Sequence, residues 1–304
     1  MGNQLWGIDL GGTKVEGVIL PSHGSPQPVL RMRVDTEASK GYTHIVGQIK
    51  KLVQQMQNES GISPQQIGFG TPGVLDPVLQ TMKNCNSTAL NGMPLQKDLE
   101  QELGIPVLLA NDANCFALAE THWGIVKEKC PDAKVVFGII MGTGVGGGLV
   151  FNHHIWNGKH GIAGEWGHNF LDESGGPCYC GKTGCVETVI SGPATEKYYQ
   201  KISGEHIRLK EIYTRYRSGE KFAEQTIERL CHFFGKAVSV VVNILDPDVL
   251  VIGGGVGNID ELYTRGLESL KKYIFNNRVD VRILRPSLGD SAGVFGAAAL
   301  TEGS

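Results

Sequence analysis

The strongest constraint in this sequence is a design that occurs twice. Leu5–Leu10 is an apolar run that meets Gly11-Gly12, and a second apolar run, Val15–Leu20, leaves the turn. Val135–Met141 meets Gly142–Gly148 in the same way and continues as an apolar run to Asn152. Apolar runs of this length, bounded by glycine, read as strands rather than helices. Each copy is therefore expected to be strand, glycine turn, strand. Residue identity between the copies is weak, so the duplication is one of pattern.

After each copy the chain alternates between helical and strand periodicity. Ile45, Ile49, Leu52, Val53 and Met56 fall on one face of a predicted helix over residues 42–59. Further helices are expected from Asn111-Asp112 onward and at 193–201, 205–217, 221–245, 260–275 and 291–301. Strands are expected at 30–34, 67–69, 106–110, 249–252 and 281–284. Strands alternating with helices argue an α/β class. Residues 153–192 form a Gly/Cys/His-rich insertion with little periodicity.

Composition narrows the function. Glycine supplies 42 of 304 residues, about twice the usual share of roughly 7%. The excess gathers at Gly11-Gly12, Gly142–Gly148, Gly175-Gly176 and Gly253–Gly255, which points to turns where backbone approaches a ligand. The net charge is -3 and no basic tract is visible, which argues against nucleic-acid binding. No apolar stretch reaches the eighteen or so residues that span a bilayer. The N-terminal sequence does not read as a signal peptide, so a cytoplasmic protein is expected.

Two generic motifs match by letter and fail by context. Gly142-Thr-Gly144-Val-Gly146-Gly147 fits G-x-G-x-x-G, but a strand comes next where the dinucleotide version opens a helix. Gly176–Thr183 fits the P-loop pattern without the preceding strand or the following amphipathic helix. A better account makes Gly11, Gly12, Thr13 and Lys14, with Gly142, Thr143 and Gly144, a pair of turns facing one phosphate chain. Glycine lets N–H groups reach anionic oxygens, and the threonines add hydroxyl donors. Plain tight hairpins are the alternative.

Four further clusters carry chemistry. Asp9, beside the first turn, suits hydrated Mg²⁺ or a turn cap. Asp112 suits a helix N-cap or a general base for a hydroxyl nucleophile. His168, Cys178, Cys180 and Cys185 form a closed Cys₃His set of the structural zinc type, with disulfide or reduced thiols as alternatives. Glu165 and Glu187 flank that set and suit hydrogen bonds from a polyol.

Together these pieces resemble the ROK family (repressors, open reading frames and kinases) of the actin-like, hexokinase-type ATPase superfamily. Asp9-Leu-Gly-Gly-Thr-Lys14, Asn111-Asp112-Ala-Asn-Cys, Gly142–Gly148, Gly164-Glu-Trp-Gly-His168, Cys178–Glu187 and Asp246–Gly255 carry the likeness. The resemblance implies a two-lobed, ribonuclease H-like duplicated fold with a cleft. The lobes are expected at residues 1–117 plus 290–304 and at 118–289, the latter holding the zinc insertion. It implies a kinase using ATP and Mg²⁺, with a structural Zn²⁺. Asp112 would take the proton of a sugar's terminal hydroxyl. Asn111, Glu165, His168 and Glu187 would hold ring hydroxyls, with Gly73 and Asn86 beside them. His168 would give one ring nitrogen to the sugar and one to zinc. Gly253, Gly254 and Gly255 would pack near the adenosine. A homodimer is also implied.

Within the family, Lys83–Gly92, Gly164–Asn169, Pro177–Lys182 and Asn243–Val249 are most similar to the bacterial fructokinase/mannokinase type. The expected reaction is therefore phosphorylation of a hexose 6-hydroxyl, fructose first. N-acetylglucosamine kinase or glucokinase is the alternative, and a non-catalytic sugar sensor a further one. Only eight residues precede Asp9, so the helix-turn-helix of the family's repressors is not expected.

Overall fold

The two glycine-turn repeats become the first two hairpins of two sheets with the same strand order. The computed structural model describes residues 4–21, 26–278 and 280–302. The outer ends of the expected N-terminal lobe, 1–3 and 303–304, lie outside them. β1 (Leu5–Leu10) pairs antiparallel with β2 (Lys14–Leu20), and β3 (Leu30–Asp35) pairs antiparallel with β2. α1 (Tyr42–Ser60) buries Ile45, Val46, Ile49, Leu52, Val53 and Met56, the face its periodicity predicts, and ends at Gly61 with φ +67°. β4 (Ile67–Thr71) then pairs parallel with β1.

A small hairpin, β5 (Val74–Leu75) with β6 (Met82–Lys83), precedes α2 (Leu95–Leu103). β7 (Val107–Asn111) closes the sheet in the order β3-β2-β1-β4-β7. α3 (Asp112–His122) buries every residue from Ala113 to Thr121. α4 (Ile125–Lys129) comes next.

The second sheet repeats that order with β8 (Val135–Met141), β9 (Val145–Phe151), β10 (His154–Ile155), β11 (Val249–Gly253) and β12 (Arg282–Leu284). Its order is β10-β9-β8-β11-β12, with β11 parallel to β8 and β12. Between β10 and β11 lie α5 (Val186–Ile190), α6 (Gly192–Ser203), α7 (Leu209–Arg217) and α8 (Lys221–Leu245). The helix expected at 260–275 is divided. A 3-10 turn at Asp260–Tyr263 precedes α9 (Arg265–Lys271), and the Tyr263 hydroxyl donates to Gly257 O at 3.0 Å, pinning the break. α10 (Ala292–Ala299) ends the described chain's regular structure. Among the described residues no helix is long and apolar enough to cross a membrane.

The chain forms two compact units, Met1–Asp132 with Gly148–Ala163 and Ser287–Ser304, and Ala133–Gly147 with Gly164–Pro286. This division differs from the boundary expected at 117/118, which falls inside the unbroken helix α3. The second half of β9 joins the first unit because it lies on α3. Leu149 N donates to Asn114 Oδ1 at 3.0 Å, and a side chain at Gly148 would meet the Ala113 backbone.

Three further glycines serve packing of the same kind. A Cβ at Gly7 would lie 2.8 Å from Ala298 Cα, and one at Gly68 would meet Ala297 O. A Cβ at Gly296 would meet the backbone carbonyl of Cys115. α10 thus rests backbone to backbone on β1, β4 and α3. Gly296→Ala should lower stability by about 2–3 kcal/mol, because backbone cannot yield to the added methyl. Gly47, exposed on α1 with open space where its Cβ would be, should do the opposite. Gly47→Ala is expected to gain up to about 1 kcal/mol. Denaturant titration of both variants checks the pair of signs.

Candidate active site

In the first unit, the β1–β2 register sets Asp9 opposite Glu16 and closes the turn with Gly11 N donating to Lys14 O at 3.0 Å. Thr36 braces the turn from β3's end. Its hydroxyl donates to Gly11 O at 2.7 Å and its N–H to Thr13 O at 2.9 Å. Gly12, Thr13 and Lys14 are exposed.

Asp9 is held in a slot made of glycine. A Cβ at Gly70 or at Gly293 would lie 3.2 Å from an Asp9 carboxylate oxygen. Burial, with the Asp112 and Glu16 carboxylates nearby, pushes the Asp9 carboxyl up to about 7. Both effects disfavour the charged form.

β7 delivers Asn111 and Asp112 to the start of α3. The N-cap is Asn111, whose Oδ1 accepts from Ala113 N at 2.9 Å. Asp112 is the first helical residue; it is exposed, and its Oδ1 accepts from the same N–H at 2.7 Å. The capping alternative for Asp112 therefore falls to its neighbour. Gly73 is buried, and a Cβ there would lie 2.6 Å from Lys83 O. Asn86 is exposed nearby, its N–H donating to Pro72 O at 3.4 Å.

In the second unit, the β8–β9 turn is held from several sides. Gly142 N donates to Gly144 O at 2.9 Å, and Gly192 N donates to Gly142 O at 2.8 Å. Val145 N donates to Glu187 Oε2 at 2.9 Å. Thr143 is exposed at the tip. The Gly253–Gly255 turn lies beside it. Gly254 takes φ +81°, and a Cβ there would lie 2.9 Å from Met141 N. Glu165, His168 and Glu187 come together here. Burial raises the Glu165 carboxyl, His168 opposes that, and the Glu187 charge adds to it.

The four sequence-predicted metal ligands converge. One ligand atom each from His168, Cys178, Cys180 and Cys185 lies within 4.8 Å of all the others. Cys178 Sγ to His168 Nδ1 and Cys180 Sγ to Cys185 Sγ are both 3.6 Å. A tetrahedral ion with metal–sulfur bonds of about 2.3 Å would set its sulfurs about 3.8 Å apart, so the donor set fits zinc. Gly181 and Gly184, at φ +85° and +74°, supply the tight bends. His168 Nδ1 faces the sulfurs, while Nε2 lies 3.0 Å from the Tyr179 hydroxyl.

Four contributors escape a reading of the sequence. Gly70 and Gly293 shape the Asp9 slot, Gly192 braces the second turn, and Tyr179 meets His168. Gly192 sits in Ser191-Gly-Pro, a helix-start signal that is legible as such. The others depend on contacts between distant segments.

Two sheets of one strand order, each opening on a glycine hairpin, define an α/β, two-lobed actin-like fold of the ATPase superfamily type. A model of the ROK family matches residues 5–304, and the chain belongs to that family. The N-acetyl-D-glucosamine kinase of Pasteurella multocida is 32% identical over 306 residues, covering 97% of this chain and 98% of that protein. Further relatives at 33–35% identity carry the same name. The ROK hexokinase from Thermus thermophilus has a TM-score of 0.86 at 29% identity, covering 97% of each chain. The ROK family glucokinase from Streptomyces griseus, solved with glucose and AMPPNP, has a TM-score of 0.78 at 27% identity, covering 98% of this chain and 99% of that one. The fructose expectation gains nothing from these relatives. Its alternative, N-acetylglucosamine, is the better supported.

Asp9 makes a pH-dependent contribution to the protein free of Mg²⁺ and nucleotide. Its carboxyl shifts from 3.8 to about 7 on folding. The folded chain keeps the proton that the unfolded chain loses, so stability present at about pH 4 is lost as pH rises through about 7. The shift corresponds to on the order of 4 kcal/mol. Asp9→Asn should flatten the fall in unfolding free energy between about pH 4 and pH 7. An unchanged fall would remove Asp9 as its source.

Proposed function

We propose that this chain is an ATP-dependent sugar kinase that phosphorylates the 6-hydroxyl of a hexose, with N-acetyl-D-glucosamine as first substrate. The observation that carries the reading is Asp112, exposed at the start of α3 beside the half-buried Asp9, in a chain whose relatives are sugar kinases. Fructose, mannose and glucose are the competing substrates.

In this mechanism Asp112 accepts the proton of the sugar 6-hydroxyl as that oxygen attacks the terminal phosphorus of ATP and the bond from that phosphorus to the bridging oxygen breaks, with ADP leaving. Asn111, with Gly73 and Asn86 near it in the first unit, would orient ring hydroxyls, as would Glu165, His168 and Glu187 of the second unit. Gly11, Gly12, Thr13 and Lys14 receive phosphate oxygens, as do Gly142, Thr143 and Gly144. Gly253, Gly254 and Gly255 pack near the adenosine. Positioning and charge neutralisation are most of what phosphoryl transfer asks of a protein. Asp9 would hold hydrated Mg²⁺, which neutralises phosphate charge when bound. His168, Cys178, Cys180 and Cys185 would hold a structural Zn²⁺ that fixes the loop carrying His168 and leading to Glu187.

ADP release from Mg-ATP, measured in parallel with N-acetylglucosamine, N-acetylmannosamine, glucose, mannose and fructose, tests the reading. N-acetylglucosamine should give the highest kcat/KM. Asp112→Asn should lower kcat by about 10²-fold or more while sugar binding persists. Near-normal turnover in that variant would remove Asp112 from its role. Silence on all five sugars, with binding retained, would favour a sensor.

Elemental analysis of the purified protein should find about one zinc per chain, the stoichiometry of a single Cys₃His site. Chelation should lower the melting temperature. A metal-free preparation of full stability and activity would defeat the zinc assignment.

A further inference from the structure

We propose that Glu187 is a positioning residue for the second glycine turn, latching it in the form that receives nucleotide phosphates, an inference that rests on the kinase function proposed for this chain. The evidence is a clearance as well as a bond. Val145 N donates to Glu187 Oε2 at 2.9 Å. A Cβ built on Gly144 would lie 2.5 Å from that same oxygen and 3.5 Å from Cδ. Among the described residues, nothing else outside the immediate chain neighbours comes within 4 Å of it. Gly144 also lies outside the left-handed region of backbone space. Neither strain nor general packing stands against a side chain at 144; what an added methyl would displace is the Glu187 carboxylate, the end of a flexible side chain, and with it the bond to Val145 N.

The latch has a second point. Glu187 is the second residue of α5, and Gly192 opens α6 directly after it. Gly192 N donates to Gly142 O at 2.8 Å. One short segment thus holds both ends of the turn, its carboxylate at 144–145 and its backbone at 142. With Val145 N committed to Glu187, Thr143 and Gly144 become the turn's N–H donors to phosphate. A carboxylate has two oxygens and about four acceptor sites, so Oε2 can hold the turn while the residue also meets a sugar hydroxyl. α5 begins at its N-cap Cys185, one of the four candidate metal ligands, so one short segment joins the metal loop, the proposed sugar contact and the phosphate turn.

The test is a double-mutant cycle read by calorimetric binding of Mg-ADP to the full chain without sugar. Glu187→Ala and Gly144→Ala should each weaken binding by about 10-fold, the scale of a lost charge-assisted bond. The double variant should bind within about 2-fold of Glu187→Ala, because its methyl has no carboxylate to displace. Glu187→Gln keeps an acceptor oxygen and should stay within about 3-fold of the wild type. Losses that multiply in the double variant, or wild-type affinity in Glu187→Ala, would overturn the latch alone. A wild type that fails to bind Mg-ADP would overturn the kinase reading with it. If Glu187→Ala does not fold, unchanged binding in Gly144→Ala overturns the latch by itself.

Discussion

A helix can rest directly on a sheet only where neither places side chains between them, and this first unit depends on that contact. Gly7 and Gly68 on adjacent strands clear the sheet side, and Gly296 clears the side of α10 that meets α3. Close approach strengthens dispersion, because interior packing tolerates almost no gaps. It also sets the chemistry. Gly70, at the end of β4, and Gly293, at the start of α10, are the walls of the Asp9 slot. The same close contact that stabilises the unit therefore takes the Asp9 carboxylate partly out of water.

Glu16 shows why Asp9 is exceptional. The two are register partners on adjacent strands, and both are carboxylates. Glu16 is answered by cations: Arg31 pairs with Oε1, and Arg33 Nε lies 2.9 Å from Oε2. Arg31 also donates to Ser291 Oγ at 2.8 Å, tying β3 to the approach of α10. Asp9 has Asp112 and Glu16 as its charged neighbours instead. Burial beside like charge costs free energy unless a proton or a cation supplies the balance. A cation brought with the phosphates would do so, which would couple occupancy of the site to the ionisation of Asp9.

The repeated hairpins, the strands after them and the metal loop are legible in the sequence, because each rests on local pattern. Apolar runs, glycine turns and cysteine spacing need no distant partner. α2 escapes such a reading because it is nine residues long and buries only Leu95 and Leu99, too little periodicity to register. The break before α9 depends on a hydroxyl reaching back to the Gly255–Asn258 turn. The unit boundary depends on Gly148 lying against α3, and the Glu187 bond on two residues 42 apart in sequence. Such contacts leave residue types in the sequence, here glycines, without naming what presses on them.

The substrate reading illustrates the same limit from the other side. Lys83–Gly92 carries the likeness to fructokinases, yet the structure gives most of it a scaffolding task. Lys83 Nζ pairs with Asp76 Oδ2 at 2.8 Å across the β5–β6 hairpin. Asn91 accepts from Cys85 N at 2.9 Å and donates to Cys85 O at 3.1 Å, clasping the loop on itself. Leu90 is fully buried, and Ala89 packs against the same core. Gly92 N donates to Met82 O at 2.8 Å. Residues with these duties preserve a loop's shape whatever sugar it faces. Asn86, by contrast, is exposed. A motif shared for its fold carries little information about the ligand, which is why a likeness across this loop could point to fructose while relatives along the whole chain are N-acetyl-D-glucosamine kinases.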